Sequence, residues 1–151
     1  MTLLHRYAEV AGSDVVEHLR QLAGLLQGAR VVHVNTTAWG GGVAEILTPL
    51  IPLSRELGLD ASWEVFEGAA DFFACTKLMH NAVQGMRVAP DERGLRVYED
   101  YNARNAERLA SVLEDADFVF IHDPQPAALI SHLPRRRGRW IWRCHIDASH
   151  P

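Results

Sequence analysis

Two histidine–carboxylate pairings stand out in the second half of the chain, His122-Asp123 and His145-Ile146-Asp147. An imidazole beside a carboxylate can grip a hydroxyl or shuttle a proton, because unperturbed histidine changes charge near neutral pH. Either pairing alone reads equally well as a structural histidine satisfied by its neighbour. Two of them, each closing a different apolar run, point to a site. No third or fourth ligand stands at a familiar spacing, so no metal is expected. A further feature is Gly40-Gly41-Gly42, which follows the apolar run from Val31 and opens a helical pattern at Val43. Residues without a Cβ let a ligand approach the backbone, and the free N–H groups of a following helix favour a phosphate or clustered hydroxyls. Lys77, His80, Asn81 and Gln84 are spaced i, i+3, i+4 and i+7, so they share one helix face. That face suits sugar hydroxyls, and it suits an ordinary solvated surface as well.

Two specific versions of the glycine loop fail. The phosphate loop of nucleoside triphosphatases needs a lysine and a hydroxyl residue after its last glycine, where this chain has Val43-Ala44-Glu45. The dinucleotide fingerprint needs a small third residue for close helix packing, and the register starting at Gly40 puts Glu45 there. A nicotinamide-binding domain is thereby weakened without being removed. The basic run Arg135-Arg136-Arg137-Gly138-Arg139 has no interleaved aromatics and reads as a solvated loop rather than a nucleic-acid contact. Trp140 and Trp142 alternate along a strand and share one face, which suits core packing or an interdomain surface.

The elements that must position these residues follow from periodicity and punctuation. A helix is expected from Ser13 or Asp14 to Gly28, a strand over Arg30–Asn35, and a helix over Val43–Leu57 that Pro49 and Pro52 should kink or divide. A strand over Ala61–Phe66, a helix over Ala70–Gln84, a loop over Met86–Gly94 and a long helix over Leu95–Leu113 come next. A strand over Phe118–Ile121, one or two helical turns over Ala127–His132 and a last strand over Trp140–His145 complete the chain. Apolar strands alternating with helices predict an α/β fold, a Rossmann-like parallel sheet with helices on both faces. Ligands of such sheets sit beyond the carboxyl ends of the strands. Four polar segments fall there: Asn35 to Gly42, Glu67-Gly68, His122 to Gln125 and His145 to Asp147.

At 151 residues and 48% hydrophobic content, residues 1–151 suit a single domain with a sizeable core. A net charge of −4 and a sequence pI near 6.0 give no global attraction to nucleic acid or to an anionic membrane. Cys75 and Cys144 match no redox or zinc spacing and read as thiols in a reducing compartment. Without a signal-peptide core or an apolar run near the roughly 18 residues a membrane span needs, a cytoplasmic location is expected.

Several ordered stretches carry a resemblance across nearly the whole chain. They are His33-Val34-Asn35-Thr36-Thr37 with Gly40 to Leu47, Glu67-Gly68, Phe72-Phe73 with Thr76-Lys77 and His80-Asn81, His122-Asp123-Pro124-Gln125, and Trp142 to Asp147. Together they resemble the N-terminal domain of the glycosyltransferring trehalose synthases, retaining two-domain enzymes of glycosyltransferase family 4. The resemblance implies half of a GT-B fold, with the acceptor side here and the donor nucleotide on a C-terminal domain absent from this sequence. It implies transfer of glucose from a nucleotide diphosphate glucose to glucose, with no cofactor and no metal. By motif, Asp123 would bind acceptor hydroxyls and His145 would contact the transferred sugar near the reacting centre. Gly41 and Gly42 would line the cleft near donor phosphates and acceptor. Glu67, Lys77, His80, Asn81, Gln125, Arg143 and Asp147 would complete the acceptor pocket.

Positive charge at the departing diphosphate would belong to the other half, so the chain alone is expected to lack transfer activity. Its partners would then be a sugar acceptor, with the nucleotide sugar held only when a C-terminal domain is present, and an exposed apolar cleft wall would favour a homodimer. Two other readings stay open: a non-catalytic sugar- or nucleotide-binding module, and a nicotinamide-binding oxidoreductase domain.

Overall fold

A computed structural model describes residues 2–149. Helix α1 (Leu3–Ala11) was not foreseen in the sequence. Its first N–H groups are tied down from outside: Thr2 Oγ1 accepts from His5 N, and the Glu56 carboxylate accepts from the Leu3 and Leu4 N–H groups at 2.8 and 3.1 Å. Helix α2 (Ser13–Gly24) stops before the expected Gly28, and strand β1 (Arg30–Asn35) follows.

Helix α3 (Gly42–Glu56) corrects the expectation of a division at the prolines, because it runs as one element with Pro49 and Pro52 inside it. The carbonyls that lose a donor to these prolines belong to Glu45 and Thr48, both solvent-exposed, so water can serve them. The buried stripe of Ala44, Leu47 and Ile51 passes uninterrupted on the other side.

Strand β2 (Asp60–Val65) leads to α4 (Ala70–Val83), and α4 packs against α5 (Glu92–Leu113). Asp91 caps α5 by accepting from Gly94 N at 2.7 Å, which moves the helix start three residues ahead of the expected Leu95. Strand β3 (Phe118–His122), the short α6 (Leu129–His132) and β4 (Arg139–Arg143) complete the chain.

The four strands pair in the order β2-β1-β3-β4, all parallel, in the Rossmann-like arrangement expected for one half of a GT-B fold. Period-2 alternation divides the two faces. Val32, Val34, Val119 and Ile121 meet Phe72 of α4 and Ala106, Leu109 and Leu113 of α5, forming the main core with Phe66 and Leu129. On the other face Ala61 and Trp63 meet Leu47 and Ile51 of α3. Trp140 packs on the main core and Trp142, on the same face, is 55% exposed. No helix among the described residues is long and apolar enough to cross a membrane.

Candidate functional site

Because all four strands are parallel, their carboxyl ends lie along one edge of the sheet, and the loops that follow them form a common rim. The loop after β1 enters α3 through Gly40 and Gly41, whose φ angles of 69° and 86° lie in the left-handed region that penalises any Cβ. Gly41 offers no side-chain cap, so the first N–H groups of α3 stay open to a ligand. A Cβ built at Gly40, Gly41 or Gly42 would meet nothing within 4 Å, which makes this an open approach. Trp39, 83% exposed, stands on the same loop beside an exposed turn closed by the Thr37 hydroxyl.

Asp123 is the hinge of the rim. It is the one non-glycine residue among those described with positive φ, 64°, a conformation aspartate tolerates better than most residues. Its N–H donates to Arg143 O at 3.0 Å, its carbonyl accepts from Trp142 Nε1 at 2.9 Å, and its Oδ1 accepts from His145 N at 2.7 Å. These bonds join the loop after β3 to the loop after β4. They also end β4 at Arg143, ahead of the expected His145, and leave His145 on the rim. Oδ2 of Asp123 makes no hydrogen bond among the described residues and is available to a hydroxyl.

Behind His145 runs a file of imidazoles. His145 Nε2 lies 2.8 Å from His122 Nδ1, and His122 Nε2 lies 3.0 Å from His33 Nδ1. His33 and His122 are 6% and 1% exposed, and His33 stacks on Phe120 with centroids 4.8 Å apart. Burial pushes the His33 pKa down to about 4, with help from the Arg143 charge. The His122 pKa falls to about 4 as well, through burial first and then His33, His145 and Arg143. Both inner rings are therefore neutral at physiological pH. The three rings engage through different nitrogens in series, so their lone pairs do not converge on one point as metal ligation would require.

On the other side of the rim, α5 holds two loops by side-chain amides. Asn105 accepts from Glu67 N at 2.9 Å and donates to Glu67 O at 2.8 Å, while Arg108 Nε reaches Glu67 Oε1 at 3.5 Å. Asn102 donates to Gln125 O at 3.1 Å, and the Tyr98 hydroxyl donates to Pro124 O at 2.8 Å. The first hydrogen bond from α5 to the rim comes from Tyr98 and Val97 packs on the main core, so the five residues Glu92 to Arg96 extend about 7.5 Å beyond. Helix α4 packs along this projection, with Cys75 near Gly94, and the pair forms a wall above the sheet edge.

The expected site residues distribute accordingly. Asp123, His145 and Arg143 are brought together, Gln125 follows on the Asp123 loop with its carbonyl held by Asn102, and Gly41 and Gly42 stand on the adjoining β1 loop. Glu67 lies beyond β1, at the β2 end of the sheet, locked to α5. Lys77, His80 and Asn81 ride on the projecting α4 and make no side-chain hydrogen bond to a rim loop among the described residues. Asp147 turns onto Ser149, whose hydroxyl and N–H hold its pKa below the usual value. A concavity of about 680 Å³, lined by Gln27, Asp117 and Arg139, lies at the opposite edge, against the amino ends of the strands.

Sequence reasoning left out His33, Asn102, Asn105 and Arg108 as site residues, and it read His122 only as the partner of Asp123, not as the link between His33 and His145. For the histidines the signal was present: an imidazole inside Val-Val-His-Val or Phe-Ile-His must find a buried partner. Tyr98, Tyr101, Asn102 and Asn105 likewise share helical spacing with Leu109, which marks a face turned inward.

Residues 33–151 match the model of the trehalose synthase N-terminal domain. The trehalose synthase of Rubrobacter xylanophilus is 47% identical over 148 residues, covering 96% of this chain and 35% of that protein. The trehalose synthase of Thermococcus litoralis is 46% identical over 149 residues, 98% of this chain and 35% of that protein. A trehalose phosphorylase of Pleurotus pulmonarius is 30% identical over 157 aligned positions, 95% of this chain and 21% of that protein. The chain therefore spans about a third of the length of the trehalose synthases it matches. On the family match and these identities, the chain belongs to the trehalose synthase N-terminal domain family.

Proposed function

We propose that the chain is the acceptor-side domain of a retaining glycosyltransferase that moves glucose from a nucleotide diphosphate glucose to glucose, forming trehalose. The observation that carries the reading is the joined rim at Asp123 and His145, where a free carboxylate oxygen and a half-buried imidazole share the strand-end edge with the open N-terminus of α3. Neutral sugars are held by carboxylates, amides and imidazoles of this kind. In this reading Asp123 and Gln125 hold acceptor hydroxyls, His145 meets the sugar near the reacting carbon, and Gly41 and Gly42 admit it against the backbone. Glu67, Lys77, His80, Asn81, Arg143 and Asp147 act from the flanks.

The donor nucleotide and the charge that balances the departing diphosphate would come from residues outside this chain, which matches its one-third coverage of the trehalose synthases. Calorimetry with glucose, trehalose, nucleoside diphosphates and NAD tests the proposal. Glucose or trehalose binding without NAD binding supports it; NAD binding without sugar binding overturns it. Transfer from nucleotide-linked glucose at ordinary enzyme rates by this polypeptide alone would overturn the division of labour.

A further inference from the structure

A neutral imidazole carries one N–H and one bare nitrogen, so the three rings in series cannot choose their tautomers independently. Each of the two N···N contacts, 3.0 and 2.8 Å, needs one donor and one acceptor. Only two neutral arrangements satisfy both. In one, every ring carries its proton on Nε2: His145 donates to His122 Nδ1, His122 donates to His33 Nδ1, and His145 Nδ1 is a bare acceptor. In the other, every ring carries its proton on Nδ1, both bonds reverse, and His145 Nδ1 becomes a donor.

We propose that His33 and His122 are positioning residues that lock His145 in the Nε2–H tautomer, so that its remaining nitrogen, Nδ1, accepts a hydrogen bond from a ligand hydroxyl. The Nε2–H form is the one free imidazole side chains favour, and the first arrangement uses it at all three positions; the His33 Nε2–H has no protein acceptor but is not among the fully buried unpaired atoms, so water can serve it. Nδ1 of His145 makes no hydrogen bond among the described residues. Passing from one arrangement to the other takes in a proton at His145 Nδ1 and releases one at His33 Nε2, with no change of charge. The buried stack of His33 on Phe120 and the Asp123 bond to the His145 backbone fix both ends of the file, so the tautomer is set by hydrogen bonding while the rings stay in place. The consequence for sugars rests on the function proposed above; the tautomer assignment does not.

His33→Phe separates these claims, because phenylalanine keeps the stacking surface and removes the acceptor. A buried N–H without a partner is worse than a bare nitrogen, so His122 should abandon Nε2–H for Nδ1–H and donate to His145 Nε2. His145 is then forced to carry its proton on Nδ1. His33→Asn supplies a carbonyl oxygen near the former Nδ1 position and should restore the native state. Two-bond 1H–15N correlation spectra of the imidazoles report each tautomer directly.

The expected result is Nε2–H at all three rings in the native chain, Nδ1–H at His122 and His145 in His33→Phe, and Nε2–H at both in His33→Asn. Glucose affinity should fall by up to about tenfold in His33→Phe, where the ligand hydroxyl must accept from Nδ1–H and its own proton loses its acceptor, and recover in His33→Asn. A native His145 protonated on Nδ1, or a tautomer indifferent to residue 33, overturns the assignment. A reversed tautomer with unchanged glucose affinity overturns its role in binding. Absence of glucose binding by the native chain would refute the proposed function while the spectra still decide the tautomer.

Discussion

Acidification from about pH 7 to about pH 5 should cost this domain a large share of its stability, through two rings that barely touch solvent. His33 and His122 each have a pKa of about 4 in the fold against an ordinary value of 6.5. Between those values the unfolded chain binds protons that the folded chain refuses, so their contribution is complete above 6.5 and is lost as pH falls toward 4. From about pH 7 to about pH 5 each ring accounts for about 1.8 kcal/mol, and the pair for about 3.5 kcal/mol. That is substantial against a total of roughly 5–15 kcal/mol for a domain. Stopping near pH 5 leaves most carboxylates ionised and keeps the effect on histidine. Urea unfolding followed by circular dichroism at the two pH values measures the loss. In His33→Phe the difference between the two pH values should shrink to about half, whatever the variant's absolute stability. Equal losses in the native and variant proteins, or no loss in either, would refute the reasoning.

Other substitutions probe the bracing of the rim. Asn105→Ala removes both bonds to the backbone of the exposed Glu67; thermal melts should show a loss of about 1–3 kcal/mol, and one below ~0.5 kcal/mol would contradict the clamp. Asp123→Asn keeps an acceptor for His145 N and a residue tolerant of positive φ, so it should stay within about 1 kcal/mol of the native protein, whereas Asp123→Ala should lose about 2 kcal/mol in urea titration. Gly41→Ala places a Cβ at φ 86° in open space; calorimetric melting should show the backbone strain, about 1–2 kcal/mol, with the fold retained.

The sheet and its rim were legible because apolar strands alternating with helices leave few parallel arrangements, and ligand residues then fall at the carboxyl ends. Asp123 and His145 were placed on the rim this way, although their mutual bond depends on a left-handed backbone at Asp123 that spacing does not reveal. The prolines of α3 do not divide the helix, since their cost depends on whether the freed carbonyls face water, a property of packing. Helix α1 was missed because Glu56, more than fifty residues away, supplies its N-terminal acceptors. The histidine file escaped for a similar reason. Its members come from β1, the end of β3 and the loop after β4, and only strand order makes β1 and β3 neighbours. The α4 face was legible as a face, but its elevation above the rim follows from where Asn102 and Asn105 grip the loops.

In the proposed function, the carboxyl-edge rim organised by Asp123 and His145 is where this domain receives a sugar. Titration of the isotope-labelled chain with glucose, followed by amide and imidazole chemical shifts, tests it directly. Saturable shifts centred on Gly41, Gly42, Asp123, Gln125 and His145 are expected, with His145 Nδ1 moving as it accepts a hydroxyl. Shifts centred instead on Gln27, Asp117 and Arg139 at the opposite edge, or no saturable shift at all, would contradict it.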